Sequence, residues 1–278
     1  MQAVRMMERR WSRKPFFCLS LRDHREPPEM TTSFRTDFIG SKDQAVRVAQ
    51  MNWMQIEAQA KRDDRCVLPL GCVEQHAYLS LATDAILAEK VANDAAEPLG
   101  LPVFPVLAYG MTPSFAAYPG TVSLRMSTYV AVMEDILEAF YRSGFRRIVL
   151  VNGHGGNSPI MTLATEWLGR RSDASVRLHN WWAGPRFQAA VQAVDPAASH
   201  ASWMENFPWT RLEGVVMPDA SKPPFNAALY QAANPAKRRE ILGDGNFHGR
   251  YERSDNEMLS LWQVGVEETQ AAMTENWP

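Results

Sequence analysis

A chain of 278 residues with 46% hydrophobic and 22% charged side chains has an ordinary soluble globular composition and the length to bury a sizeable core. The formal net charge of -2 and pI near 6.3 give no basic excess for nucleic acid and no like-charge block for a binding tail. No apolar run approaches the ~20 residues that span a bilayer. The three cysteines, Cys18, Cys66 and Cys72, are too few and odd in number for a disulfide framework, which fits a reducing cytoplasm.

At the N-terminus, Arg5, Arg9, Arg10, Arg13 and Lys14 precede a short apolar run, Phe16 to Leu21. That run is too short for a signal-peptide core and is followed at once by Asp23, His24 and Arg25. With Met30 standing ahead of a more globular stretch, residues 1–36 are expected to form a flexible extension, and 37–278 a single domain. Residues 43–62 read as a helix with an imperfect apolar face of Val46, Val48, Met51, Met54 and Ile56. Cys66 to Leu70 is a buried strand ending at Gly71, with Cys66 and Cys72 as small buried residues. Asp84 to Glu97 is a helix capped by Thr83 or Asp84 and stopped by Pro98 and Gly100.

Val103 to Leu107 is a strand candidate. The clearest helix covers 127–143, with Val130, Met133, Leu137 and Phe140 at helical spacing and Gly144 at its end. Ile148 to Val151 is a strand running into Gly153, Pro159 to Arg171 a helix, and Val176 to Trp181 a further strand. Pro185 to Pro235 has many prolines and little period, and is expected to cover one end of the sheet. A last helix runs from Asp255 to Met273. Strands separated by helices of this length predict an α/β, three-layer αβα fold with a mostly parallel central sheet and helices on both faces.

Ligands of open α/β sheets bind at the carboxyl ends of the strands, and two loops there are chemically loaded. The first runs from Gly71 to Asp84 and holds Glu74 and His76, two apart and so on one side of an extended segment. Glu, His and Asp are ligands that Zn²⁺ or Mn²⁺ prefer. The second reads Asn152-Gly153-His154-Gly155-Gly156-Asn157, where the glycines permit a sharp turn around one large side chain. Taken singly, Asp84 fits an N-cap, a loop histidine such as His154 or His248 fits a hydrogen-bonded surface residue, and the glycines fit an anion nest without the lysine of a phosphate loop. His179, within a strand, fits a structural histidine.

Taken together, four stretches resemble the creatininase family in its motif order. They are Leu68-Pro69-Leu70-Gly71 through Glu74-Gln75-His76 to Thr83-Asp84; Tyr118-Pro119-Gly120-Thr121-Val122-Ser123-Leu124; Asn152 to Asn157; and His200-Ala201-Ser202-Trp203-Met204-Glu205. The resemblance implies a creatininase-like fold and a dinuclear site of Zn or Mn, with Fe also admitted. Glu74 and His154 would hold one metal and His76 and Glu205 the other; Asp84 would bridge them, and His200 would shuttle protons beside them. Such a site lowers the pKa of bound water from about 15.7 toward about 7, and a nearby histidine protonating the leaving group adds roughly 10²–10⁴-fold.

The chain departs from the family where His76-Ala77-Tyr78-Leu79-Ser80 replaces a His-Gly-x-His-Leu-Pro stretch, and at Gly156, Ser202 and Asn206-Phe207. Creatininase has a Glu ligand at the position of Gly156; Glu205, from the later motif, stands in for it here. These changes keep the metal set and alter the pocket, so a ring other than creatinine is expected. Tyr78, Tyr118, Ser123, Trp182 and Trp203 are the substrate-binding candidates, and Glu205 joins His200 as a catalytic candidate. The leading expectation is hydrolytic opening of a small polar cyclic amide by a homo-oligomer, hexameric by resemblance. One alternative is carbon–carbon hydrolysis of a cyclic diketone from a cyclitol or sugar, of the 3-dehydro-scyllo-inosose type. Another is a non-catalytic small-molecule-binding subunit, which predicts a lost metal ligand, whereas all five are present.

Overall fold

Three strands, β1 (Arg65–Leu70), β2 (Arg147–Asn152) and β3 (Ser175–Asn180), form a parallel sheet in that order. They belong to a computed structural model that describes residues 46–278; the extension expected over 1–36 lies outside the described residues. The register aligns Leu70 with Asn152 and Asn152 with Asn180, so the loops that leave the carboxyl ends of β1 and β2 start side by side. β1 and β2 are almost wholly buried, as expected of a parallel sheet covered on both faces.

Alternation along the strands separates two cores. Val67, Val149 and Val151 face α2 (Thr83–Ala96), α5 (Pro185–Val194) and α8 (Asp255–Thr274), through Leu87, Val91, Phe187, Val191, Met258 and Leu261. Cys66, Leu68, Leu70, Ile148 and Leu150 face α3 (Met126–Arg142) and α4 (Ile160–Leu168), through Met133, Leu137, Phe140, Leu163 and Trp167. These are the helical layers of the predicted αβα sandwich. Among the described residues no helix is long and apolar enough to cross a membrane.

Four sequence expectations change. The helix expected over 43–62 is α1 (Trp53–Arg62) and begins late, because Asn52 and Gln55 form a reciprocal cap. Ahead of it, the backbone of Val46 and Val48 bonds instead to Val103. The strand expected from Val103 to Leu107 is reduced to isolated bridges with β1, since Pro105 has no N–H to continue a ladder. Neither Thr83 nor Asp84 caps α2: the cap residue is Ala82, and the Thr83 hydroxyl donates to the Ser80 carbonyl. The proline-rich region is partly helical, holding α5, α6 (Ala227–Ala232) and the start of α7 (Pro235–Leu242).

α5 starts at a proline, which suits a first turn. Its next two N–H groups, of Arg186 and Phe187, donate to the Glu268 carboxylate of α8 at 2.9 and 2.8 Å. A carboxylate there satisfies donors that the helix itself leaves open.

Candidate metal centre

Beyond β1 the chain stays extended. Val73 bridges antiparallel to Val122, which sends Cys72, Glu74 and His76 to one side. Asp84 lies in the first turn of α2. Gly153 lets the end of β2 close on that turn, since a Cβ there would lie 2.3 Å from the Asp84 carbonyl oxygen. Gly156 allows a second close approach: its Cβ would stand 2.1 Å from the Met111 carbonyl oxygen and 2.4 Å from His154 Nε2. Those two atoms are hydrogen-bonded at 3.0 Å.

Five predicted side chains converge. His76 Nε2 lies 3.0 Å from Asp84 Oδ1 and 3.7 Å from Glu205 Oε2. His154 Nδ1 lies 3.0 Å from Asp84 Oδ2 and 3.3 Å from Glu74 Oε1. The two oxygens of Asp84 therefore face two different His–carboxylate groups. His76 Nδ1 donates to the Glu74 carbonyl at 3.2 Å, and His154 Nε2 to that of Met111, so each ring turns its other nitrogen inward. This is how metal-binding histidines are oriented. The Ala201 N–H steadies Glu205 at 2.6 Å from Oε2.

The inward atoms fit a cation. Glu74, His76 and Asp84 are 0%, 1% and 3% exposed, and both Glu74 oxygens, His76 Nε2 and Asp84 Oδ2 are buried without hydrogen-bond partners. Buried polar atoms left in that state are costly. His76, Asp84 and Glu205 form one potential ligand group, and Glu74, Asp84 and His154, with Cys72, form another.

The charges of this cluster set its protonation. Burial opposes a charge on His76, but the carboxylates of Asp84, Glu205 and Glu74 outweigh it and raise the ring to about 10. His154 also lies well above its ordinary value: burial opposes the charge, and Asp84 and Glu74 override it. Burial would raise Asp84, yet the two histidines hold it below the usual carboxylate range. Burial raises Glu205 to about 7, with Asp84 and Glu74 adding to it against His76. Protons on the two rings thus offset part of the surrounding carboxylate charge, at positions that suit divalent ions.

His200 stands beside the cluster, its Nδ1 3.8 Å from Glu74 Oε1. Its ring stacks on Phe115 at 4.8 Å and lies 5.0 Å from Phe247. Burial and the charge of His76 push it well below its ordinary pKa, so it is neutral. Gln75 Oε1 accepts from the Ala77 N–H, so its amide nitrogen is the atom that faces both Gly245 O and His200 Nε2. An amide nitrogen only donates; His200 Nε2 is therefore an acceptor, and the ring hydrogen is on Nδ1.

The family description for creatininase, creatinine amidohydrolase, matches residues 49–250. The chain belongs to the creatininase family. It is 31% identical over 166 residues to the creatinine amidohydrolase of Pseudomonas putida, across 55% of this chain and 64% of that one. It is 38% identical over 112 residues to the mycofactocin precursor peptide peptidase of Mycolicibacterium smegmatis, across 37% and 44% of the two chains. It is 29% identical over 107 residues to the 3-dehydro-scyllo-inosose hydrolase of Thermotoga maritima, across 38% and 34%. The chain thus spans less than two thirds of the length of each of these relatives. Among solved structures, a mutant creatininase of Zn-Zn type is similar with TM-score 0.71 and 25% identity, over 84% of this chain and 99% of the other. The structure of creatininase Mn is similar with TM-score 0.68 and 27% identity, over the same shares.

In this creatininase-family chain a cavity of about 900 Å³ opens onto Glu74, Asp84, His154, His200 and Glu205. Ser123 and Trp182 line it, as does Thr112, whose buried hydroxyl has no hydrogen-bond partner. Tyr78, Tyr118 and Trp203 are not on its wall. Tyr78 packs edge-on against Tyr251. Tyr118 donates its hydroxyl to the Gly243 carbonyl at 3.2 Å. Trp203, between His200 and Glu205 in sequence, turns into the core and is 0% exposed. His248 is also absent from the wall, as is His179, which is bonded to Thr269 of α8.

Sequence reasoning read Cys72 only as a small buried residue, which it is, at 0% exposed, and did not single out Gln75, Phe115 or Arg125. Cys72 and Gln75 lay inside the first motif, and Cys72 shares the odd-even alternation of Glu74 and His76. Phe115 and Arg125 line the cavity without a motif to mark them.

Proposed function

We propose that this chain hydrolyses the C–N bond of a small polar cyclic amide, using two divalent ions, Zn or Mn. The observation that carries the reading is the division of Asp84, one oxygen toward His76 and Glu205 and the other toward His154 and Glu74. Glu74, Asp84 and His154 would hold one ion, and His76, Asp84 and Glu205 the other. Bound there, the ions would supply an activated water and polarise the substrate carbonyl.

The protein groups do the rest. Phe115, Trp182 and Phe247 give apolar walls that orient a ring and exclude water. Thr112 and Ser123 are polar residues of the wall. His200 offers its Nδ1 hydrogen to the departing nitrogen. Full transfer of that proton requires the ring first to gain one at Nε2, where Gln75 sits, so shuttling requires Gln75 to withdraw.

A second reading keeps these residues and changes the bond. Likeness to the 3-dehydro-scyllo-inosose hydrolase favours attack on a cyclic diketone with carbon–carbon cleavage. The non-catalytic reading has no lost ligand behind it. The proposal also includes a reducing cytoplasmic setting, in keeping with the unpaired buried thiols of Cys66 and Cys72. It further includes a homo-oligomer, hexameric by resemblance, which would cover Trp53 and Val216, 72% and 84% exposed; a monomer by light scattering removes that part.

The test is a panel of cyclic amides, cyclic diketones and short linear peptides, given to protein loaded with Zn or Mn. Ring opening of an amide, abolished by His154→Ala, is the expected result. Turnover of diketones alone moves the assignment to the second reading, and turnover of linear peptides alone overturns the cyclic substrate. No bound metal and no turnover leaves the binding-subunit reading.

A further inference from the structure

Cys72 enters the first loop two residues before Glu74 and is 0% exposed. Its Sγ lies within 4.8 Å of a ligand atom on each of Glu74, Asp84 and His154, and these atoms are equally close to one another. A sulfur merely filling core space would face apolar neighbours. This one faces two carboxylates and an imidazole.

An independent observation points to a ligand at the same place. Both oxygens of Glu74, and Oδ2 of Asp84, are buried and unpartnered. Glu74 and Asp84 thus belong, with His154, to the same potential ligand group as the Cys72 sulfur.

We infer that Cys72 is a sulfur donor to the ion held by Glu74, Asp84 and His154, and that this position selects thiophilic divalent ions over manganese. The inference rests on the metal-site reading above. On coordination the S–H bond breaks, the sulfur–metal bond forms, and the proton leaves to solvent. A Cys, His and two carboxylates make a four-donor set that zinc accepts readily, whereas manganese prefers oxygen. The other position, with His76, Asp84 and Glu205, has no sulfur and carries no such preference. The two ions are therefore chemically unequal.

The test is cobalt(II) substitution of the full-length protein, read by absorption spectroscopy beside metal analysis. Wild type and Cys66→Ser are expected to give an intense near-ultraviolet thiolate-to-cobalt charge-transfer band. Cys72→Ser and Cys72→Ala are expected to lose it while still binding cobalt, and to lose at least about 10-fold in zinc affinity with manganese affinity little changed. Cobalt-loaded wild type and Cys72→Ser with superimposable spectra overturn the inference and leave the metal site standing. Failure of wild type to bind any cobalt, zinc or manganese overturns both.

Discussion

Gln75 Nε2 lies 2.8 Å from His200 Nε2 and donates to it, which places the hydrogen of the neutral His200 ring on Nδ1. Gln75 is a positioning residue in this arrangement. Gln75→Leu is expected to lower kcat roughly 10- to 100-fold, with metal content and thermal stability close to wild type. Gln75→Glu replaces the donor by an acceptor, draws the ring hydrogen to Nε2 and shifts the pH–rate profile. Wild-type kinetics in Gln75→Leu would remove Gln75 from the mechanism.

Asp84 belongs to two of the potential ligand groups among the described residues, whereas Glu205 belongs to one. Metal analysis is therefore expected to find about two ions per chain in wild type, near none in Asp84→Ala and about one in Glu205→Gln. Equal loss in the two variants would contradict the division of Asp84 between two sites.

Gly156→Ala places a methyl group against the Met111 carbonyl and His154 Nε2. It must break the bond that turns His154 Nδ1 inward. Metal affinity is expected to fall at least about 10-fold, and stability by roughly 1–3 kcal/mol. Both are measurable by competition with a chromophoric chelator and by urea unfolding. An alanine variant that binds metal normally would show that the His154 ring does not depend on this contact.

His179 is expected to set an acid limb of stability. Its Nε2 lies 3.0 Å from Thr269 Oγ1, whose own hydrogen goes to the Gly265 carbonyl, so the histidine donates. Burial pushes its pKa from 6.5 down to about 4, with a small opposing pull from Glu268. The unfolded chain then takes up a proton at a higher pH than the folded one. Stability is full above about pH 6.5 and falls toward pH 4, by on the order of 2 kcal/mol once partial exposure is allowed for. His179→Gln keeps a donor without the titration, and its urea stability is expected to decline less between pH 7 and 4.5. Parallel declines would assign the acid limb to other groups.

Much of the sheet was legible because buried parallel strands are short, apolar and bounded by glycines; β1 and β2 fall within a residue of expectation. α1 was not, because Val46 and Val48 look helical in spacing while their backbone is claimed by Val103. Asp84 reads locally as a cap and is drawn instead toward two histidines that lie far apart in sequence. The pocket was the least legible part. Spacing says which side of a segment a residue takes, not what that side meets. Trp203 shares a motif with His200 and Glu205 yet points into the core, and Tyr78 turns to Tyr251. Cys72 was readable by parity with Glu74 and His76.

The Glu268 clasp on α5 has an evolutionary consequence. Gln188, Val191 and Gln192 of α5 line the cavity, but no metal-ligand candidate comes from that helix. Its position depends on α8, through the two N–H groups that Glu268 receives. The candidate ligands and this part of the cavity wall are thus carried on different elements. Substitutions on this face of α5 can therefore reshape the cavity while leaving the candidate ligands in place.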